Sequence, residues 1–346
     1  MERIALKPSM PVLKTDIYFG FSAEICHGIA KQGAILVDAA IAKTHGAALQ
    51  RALGYELIEV PSGERCKTRE TKEWLEDELL KRKMGRDGAI VAVGGGVTSD
   101  LVGFVAATYM RGVPLVLVPT TLLAMVDAAI GGKTGVDTPY GKNSVGAFYL
   151  PRAIFIDVDL LKTLPEKELK NGLSEVLKYG LIADRGIWEK CGAWKEEMET
   201  LIRASIECKR RVVEADFGEV GMRRILNFGH TVGHGLELLS GFKMAHGEAV
   251  ALGCMAESYL SWLLGYLEKG ALEEILHLYR KLGYTFPRVE ERALLEAMTR
   301  DKKAKGGEAR FVLIDAIGHA LPFDGEYCRS VGKRELEKMI GWMHHD

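Results

Sequence analysis

Short apolar runs alternate with longer amphipathic stretches through the first half of the chain. Residues 33–38 (GAILVD), 56–60 (ELIEV), 88–93 (GAIVAV), 113–118 (VPLVLV) and 153–157 (AIFID) each read as a buried strand. Residues 68–83 carry charges on one side and Trp74, Leu75, Leu79 and Leu80 at helical spacing on the other. Strands separated by helical segments predict a parallel sheet with helices on both faces. After Leu164-Pro165 the period changes. Residues 167–179, 188–215, 231–239, 248–264 and 272–282 read as helices, and strand signals nearly vanish apart from 310–314. The expected architecture is an α/β nucleotide-binding domain with a parallel sheet over residues 1–164, followed by a mainly α-helical metal- and substrate-binding domain over 165–346. A cleft between such domains is the default place for chemistry.

Length and charge narrow the classes. At 346 residues the chain is long enough for two cores. With 46 Lys and Arg against 47 Asp and Glu, it has no global basic field for nucleic acid. Its six cysteines show no Cys-x-x-Cys pairing, so they are expected to be reduced thiols of a cytoplasmic protein. Residues 1–16 contain no apolar signal core, and the longest apolar runs are too short to span a bilayer. The expected partner is a small molecule, with no nucleic acid and no membrane.

Gly94-Gly95-Gly96-Val97-Thr98-Ser99-Asp100 follows a buried strand and opens a helix expected over 101–107. Glycines let a backbone approach a ligand closely, and helix N-terminal amides attract phosphate. The pattern is not the G-x-G-x-x-G fingerprint, so a tight strand-to-helix turn capped by Asp100 is the plain alternative. Asp38 ends the first strand, and residues 61–67 (PSGERCK) form a polar loop after the second. All three lie at the expected C-terminal strand ends, where open parallel sheets bind ligands.

Asp127 interrupts an apolar stretch, Lys133 sits in a glycine-rich turn, and Asn143 follows in Gly141-Lys142-Asn143. A buried carboxylate or ammonium needs a partner, so Asp127 and Lys133 either pair under a loop or handle a hydroxyl and a phosphate. Further on, His230 and His234 stand at i and i+4 on one helix face, His246 opens the next helix, and Glu175 lies in an earlier one. Two histidines and a glutamate make a catalytic zinc set with an open position, but spacing alone does not choose which two of the three histidines bind. Lys178, Lys209, Arg223, Lys302 and Lys303 cluster around these positions in the sequence. Arg223 shares a face with Asn227 and His230 if their helix begins that early. Such cations suit a substrate carrying phosphate and carboxylate groups.

In order along the chain, the motifs at residues 94–100, 110–112 (MRG), 119–127 (PTTLLAMVD), 130–135 (IGGKTG), 141–143, 175–180 (EVLKYG), 226–234 (LNFGHTVGH), 246–248 (HGE) and 301–303 (DKK) resemble those of the 3-dehydroquinate synthase family. The resemblance runs from about Gly33 to the end. It implies zinc, or cobalt, on Glu175, His230 and His246, with His234 left in the substrate site. Asp127, Lys133, Asn143, Lys178, Lys209, Arg223, Asn227 and Lys302 would also face substrate. NAD would be contacted by Asp38, Glu64, Lys67, Gly95, Gly96, Asp100, Thr120, Thr121, Lys142 and Thr163. The same resemblance implies a homodimer in which Arg111 reaches the phosphate site of the neighbouring subunit. Two departures touch the pattern: residues 216–219 (DFGE) lack the family's more acidic run, and Ala40 stands where an Asn is common.

The implied reaction turns 3-deoxy-D-arabino-heptulosonate 7-phosphate into 3-dehydroquinate plus phosphate. It proceeds by transient oxidation with NAD, phosphate elimination, re-reduction and intramolecular aldol closure, a step of the shikimate pathway to aromatic amino acids. The alternatives are another sugar phosphate cyclase, which would not need Arg223 and Lys302 or Lys303 as carboxylate partners, and a metal-dependent polyol dehydrogenase that releases NADH. A binding protein without activity would be free to lose Asp127, Lys133 or the Glu–His–His set, and none is lost.

Overall fold

The computed structural model describes residues 14–300 and 309–344. The chain divides into two compact units. One runs through Pro119 and resumes over Gly132–Asp157, and the other comprises Thr120–Gly131 and the residues from Val158 on. The boundary expected near residue 164 is thus crossed by Thr120–Gly131, whose contacts lie with the helical unit. Thr120, Thr121, Asp127 and Thr163 all belong to that second unit.

The first unit is built on a six-stranded sheet of β1 (Asp16–Phe19), β2 (Gly33–Asp38), β3 (Glu56–Val60), β4 (Ala89–Gly94), β5 (Leu115–Pro119) and β8 (Ala153–Ile156). The order is β1-β8-β5-β4-β2-β3, with every pair parallel. Every residue of β4, β5 and β8 is buried, which is why these strands read as continuous apolar runs rather than alternating ones. Helices α1 (Ala23–Ile29), α2 (Ala47–Leu53), α3 (Arg69–Lys81) and α4 (Gly96–Thr108) fall between the strands in sequence. From β2 the chain steps outward to β3, then returns to the other side of β2 as β4. That reversal makes the C-terminal ends of β2 and β4 the topological switch point of the sheet.

Two elements of this unit escaped the sequence pattern. β1 is a short edge strand. Residues 133–148, where Lys133 was read in a glycine-rich turn, form the antiparallel hairpin of β6 (Lys133–Thr138) and β7 (Gly141–Phe148). Gly135 faces Gly146 across it, and a Cβ at Gly146 would lie 1.9 Å from Thr134 O. Here the glycines bring two strands together rather than ending them.

The second unit carries α5 (Glu166–Ile182), α6 (Arg185–Lys190), α7 (Met198–Ala215), α8 (His230–Leu239), α9 (His246–Leu263), α10 (Lys269–Lys281), α11 (Glu291–Arg300) and α12 (Lys333–Met343). Its described strands, β9 (Arg310–Phe311), β10 (Ile314–Ala316), β11 (His319–Ala320) and β12 (Arg329–Ser330), are two or three residues long and form two short antiparallel pairings. The single helix expected over 188–215 is broken: α6 ends in a short turn at Cys191–Ala193 before α7 starts. Among the described residues no helix is long and apolar enough to cross a membrane.

Candidate functional site

Helix geometry assembles the polar core of the second unit. On α5, Glu175, Lys178 and Tyr179 stand at i, i+3 and i+4, so one helix face presents all three, and all are fully buried. Glu175 Oε1 lies 3.7 Å from His230 Nε2 at the start of α8 and 3.7 Å from His246 Nε2 at the start of α9. These are not hydrogen-bond distances. They are close to the roughly 3.4 Å that separates ligand atoms bonded at about 2.1 Å to a tetrahedral Zn2+. Glu175 Oε2 is in ion-pair contact with Lys178 Nζ, which leaves Oε1 toward the two imidazoles. Burial opposes the charge of Glu175, but Lys178 outweighs it and holds the carboxyl down at about 2.

The imidazoles are oriented for ligation. His230 Nδ1 lies 3.1 Å from the carbonyl of Phe228, which can only accept, so Nδ1 carries the proton and Nε2 keeps its lone pair. Burial keeps His230 well below the ordinary histidine range, hence neutral. His246 turns Nδ1 toward Glu237 Oε2, 3.5 Å away. Burial works against charge on His246 too, but Glu175 and Glu237 outweigh it and push the imidazolium up to about 10. A site that draws two imidazole nitrogens around one buried carboxylate fits a divalent cation. The structure therefore narrows the choice that spacing left open: His230 and His246 face Glu175. His234, exposed one turn along α8, stands edge-on to His230 at 5.3 Å between ring centres and groups instead with Glu237 and His246.

Of the two readings of Asp127, an ion pair with Lys133 under a loop or a role toward substrate, the first is not what the described contacts give. The partners of Asp127 are Lys209 on α7, whose Nζ donates to Oδ1 at 2.8 Å and to the backbone carbonyl at 2.5 Å, and Tyr179, whose hydroxyl donates to Oδ1 at 2.7 Å. Burial opposes the Asp127 charge, yet Lys209 and Lys178 hold it well below the carboxylate range. Lys178 also donates to Leu226 O at 2.8 Å, tying α5 to the segment before α8. Tyr179 went unread because a tyrosine in an apolar helix looks like core, and Glu237 because it lies one turn beyond the histidines.

Arg223 does not share a helix with His230. Met222–Asn227 is a short 3-10 turn; Phe228 is extended and Gly229 has φ +79°, so α8 begins afresh at His230. Arg223 is buried, and its guanidinium donates to Phe217 O at 2.8 Å and Gly131 O at 3.1 Å. A Cβ on Gly131 would lie 2.4 Å from its Nη2, so that glycine makes room for the arginine. Asn227 is exposed and donates to Glu219 at 3.2 Å. Lys302 and Lys303 lie outside the described residues.

In the first unit, α4 begins inside the glycine motif, at Gly96, several residues earlier than expected, and its N-cap Gly95 supplies no side-chain hydrogen bond. Asp100 is therefore inside the helix and not its cap. Its carboxylate binds the buried Lys67 at 2.6 Å, and Lys67 also donates to Asn143 Oδ1 at 2.5 Å. Asn143, expected among the substrate contacts, thus joins Lys67 and Asp100 in one cluster. Asp38, at the end of β2, accepts from Ala40 N at 2.9 Å and from the Ser62 hydroxyl. Glu64 and Lys142 face each other at 3.6 Å. Thr121 accepts from Ala124 N at 3.2 Å, and Thr163 is exposed and donates to Leu160 O. Lys133 and Arg111 are exposed, Arg111 with φ +65°. A 13-residue helix with uncapped N-terminal amides at a switch point, beside polar strand ends, fits the phosphates and ribose of a dinucleotide.

The two units define a class: proteins that join a parallel α/β unit to a mainly helical unit in which a Glu and two His could hold a metal ion. The family described as 3-dehydroquinate synthase N-terminal matches residues 57–171, and 3-dehydroquinate synthase C-terminal matches residues 172–304. The chain belongs to the 3-dehydroquinate synthase family. It is 40% identical over 310 residues to 3-dehydroquinate synthase of Pelobacter propionicus, covering 85% of this chain and 86% of that one. Its fold is similar to 2-epi-5-epi-valiolone synthase from Streptomyces hygroscopicus subsp. jinggangensis, solved with NAD+ and Zn2+ bound (TM-score 0.87, 25% identity, 99% of both chains). It is also similar to 2-deoxy-scyllo-inosose synthase complexed with carbaglucose-6-phosphate, NAD+ and Co2+ (TM-score 0.85, 25% identity, 94% of this chain and 95% of that one).

Proposed function

We propose that the chain converts 3-deoxy-D-arabino-heptulosonate 7-phosphate into 3-dehydroquinate and phosphate, with Glu175, His230 and His246 holding a zinc or cobalt ion and the β2–β4 switch point holding NAD. The observation that carries this reading is the fully buried Glu175 carboxylate with two imidazole Nε2 atoms 3.7 Å from its Oε1. Bound NAD would supply a reversible hydride acceptor, and the bound cation a Lewis acid for substrate oxygens. The rest falls to the chain's own groups. Lys178, Lys209 and Arg223 put positive charge where an anionic sugar phosphate must be neutralised. Asp127, kept ionised by Lys209, accepts from a substrate hydroxyl and orients it. His234, exposed beside His230, is placed to move a proton at substrate oxygen. Lys67 is held in place by Asp100 and Asn143 at the nucleotide end.

The proposal extends to a homodimer in the cytoplasm. Supporting the compartment, all six cysteines are free thiols, five of them buried. Supporting the dimer, Arg111 and its neighbour Met110 are both exposed at a turn with positive φ.

The test is an assay of purified chain with NAD, zinc and the heptulosonate phosphate, following phosphate release and product identity. Stoichiometric phosphate and 3-dehydroquinate without free NADH are expected. Accumulation of NADH from glycerol, or turnover only of a sugar phosphate lacking the carboxylate, would overturn the reading.

A further inference from the structure

Glu257 lies fully buried in the middle of α9, eleven residues beyond His246, in an otherwise apolar stretch. Its carboxylate accepts hydrogen bonds from Gly229 N at 2.9 Å and Val232 N at 3.3 Å. Both amides belong to the start of α8, the helix that opens with His230. That start has no cap of its own: the N-cap residue is Gly229, with φ +79° and no side chain. The first N–H groups of a helix need an acceptor, and a carboxylate there also meets the positive end of the helix dipole.

The contact depends on close backbone approach. A Cβ on Gly253 would lie 1.8 Å from Gly229 O, and a Cβ on Gly229 would lie 2.5 Å from Cys254 Sγ. The start of α8 is thus pressed against α9 at Gly253, and Glu257, one turn further, holds it there. The same helix begins with His246. One rigid helix therefore carries one imidazole of the metal set and, through Glu257, anchors the backbone that carries the other.

We infer that Glu257 is a positioning residue for the metal site: it touches neither metal nor substrate and fixes His230 through the amides on either side of it. This rests on the metal reading above. Removing a partner that orients a ligand weakens metal affinity by roughly 10–100-fold. Glu257→Gln retains size but exchanges one accepting oxygen for a donor, so the two amides, which now have an oxygen each, can no longer both be received in this arrangement. It is expected to lower zinc affinity within that range, measured by competition with a chelating dye. It is also expected to change the visible absorption of the Co2+-loaded protein. Glu257→Asp, which retains the charge on a shorter stem, should fall between Gln and the parent and serves if the Gln variant does not fold. Ile340→Ala, a core change on α12, controls for lost stability and should leave the cobalt spectrum intact.

Parental zinc affinity and cobalt spectrum in either folded Glu257 variant would overturn the inference, as would an equal spectral change in Ile340→Ala. His230→Ala separates this outcome from failure of the metal reading: if that variant still binds zinc as the parent does, the metal reading is wrong and Glu257 has nothing to position.

Discussion

Three side chains make the metal reading quantitative. Before metal binds, His246 is an imidazolium, pushed up to about 10, while His230 is neutral and Glu175, at about 2, is already ionised. Only a neutral imidazole can ligate, so binding at pH 7 must expel the His246 proton. Zinc titration by calorimetry in buffers of different ionisation enthalpy should therefore report about one proton released per metal. The sign follows: below the His246 value, apparent affinity rises as pH rises, by about tenfold per unit, and falls as pH drops. Zero proton release at pH 7 would mean that His246 is neutral before metal binds or is not a ligand. At this scale much was legible. Glu175 and the three histidines stand out as polar residues on apolar helices. The choice among the histidines was not legible, because it depends on which ring nitrogen meets Phe228 O or Glu237, and those contacts are set by folding.

At the scale of elements, the β4–α4 turn does for the first unit what the α8–α9 pair does for the second. Gly94 ends β4 so tightly that a Cβ there would lie 2.5 Å from Thr98 Oγ1, in the first turn of α4. Gly94→Ala must push that turn away from the strand end. Overpacking of this kind costs about 1–3 kcal/mol. If the turn cradles the dinucleotide, NAD affinity should fall by about tenfold or more while zinc affinity stays at the parental value. Both are measurable by titration. NAD binding unchanged in the folded variant would move the nucleotide away from this turn. The strands, α3 and the long helices were readable from periodicity, since burial on one or both faces dictates the apolar spacing. The β6–β7 hairpin was not: its glycines carry no pattern, and β7 is largely exposed. Neither was the break at Phe228–Gly229, which removes Arg223 from the face of His230.

For the whole molecule the proposed homodimer has its own test. If Arg111 serves the phosphate site of the neighbouring subunit, Arg111→Ala and His234→Ala should each be nearly inactive alone. Unfolding and refolding them together in equal amounts makes about half the dimers mixed. One site in each mixed dimer then has both parental residues, so about a quarter of all sites should regain activity. Mixed dimers verified by mass but without recovered activity would place Arg111 outside the partner's site.

What the sequence determined by itself is what depends on local order: the alternation of strand and helix, the helical second half, the placing of Glu175 and Lys178 on one helix, and the sets of residue types that give the chain its resemblance. What only the tertiary structure decided is what depends on residues far apart meeting. Asp127 took Lys209 as its partner, 82 positions away. Asn143 joined Lys67 across 76 positions, Arg223 turned to Gly131 O across 92, and Thr120–Gly131 packed with the helical unit. A buried charge must be matched wherever the fold places a partner, and no local pattern encodes that distance.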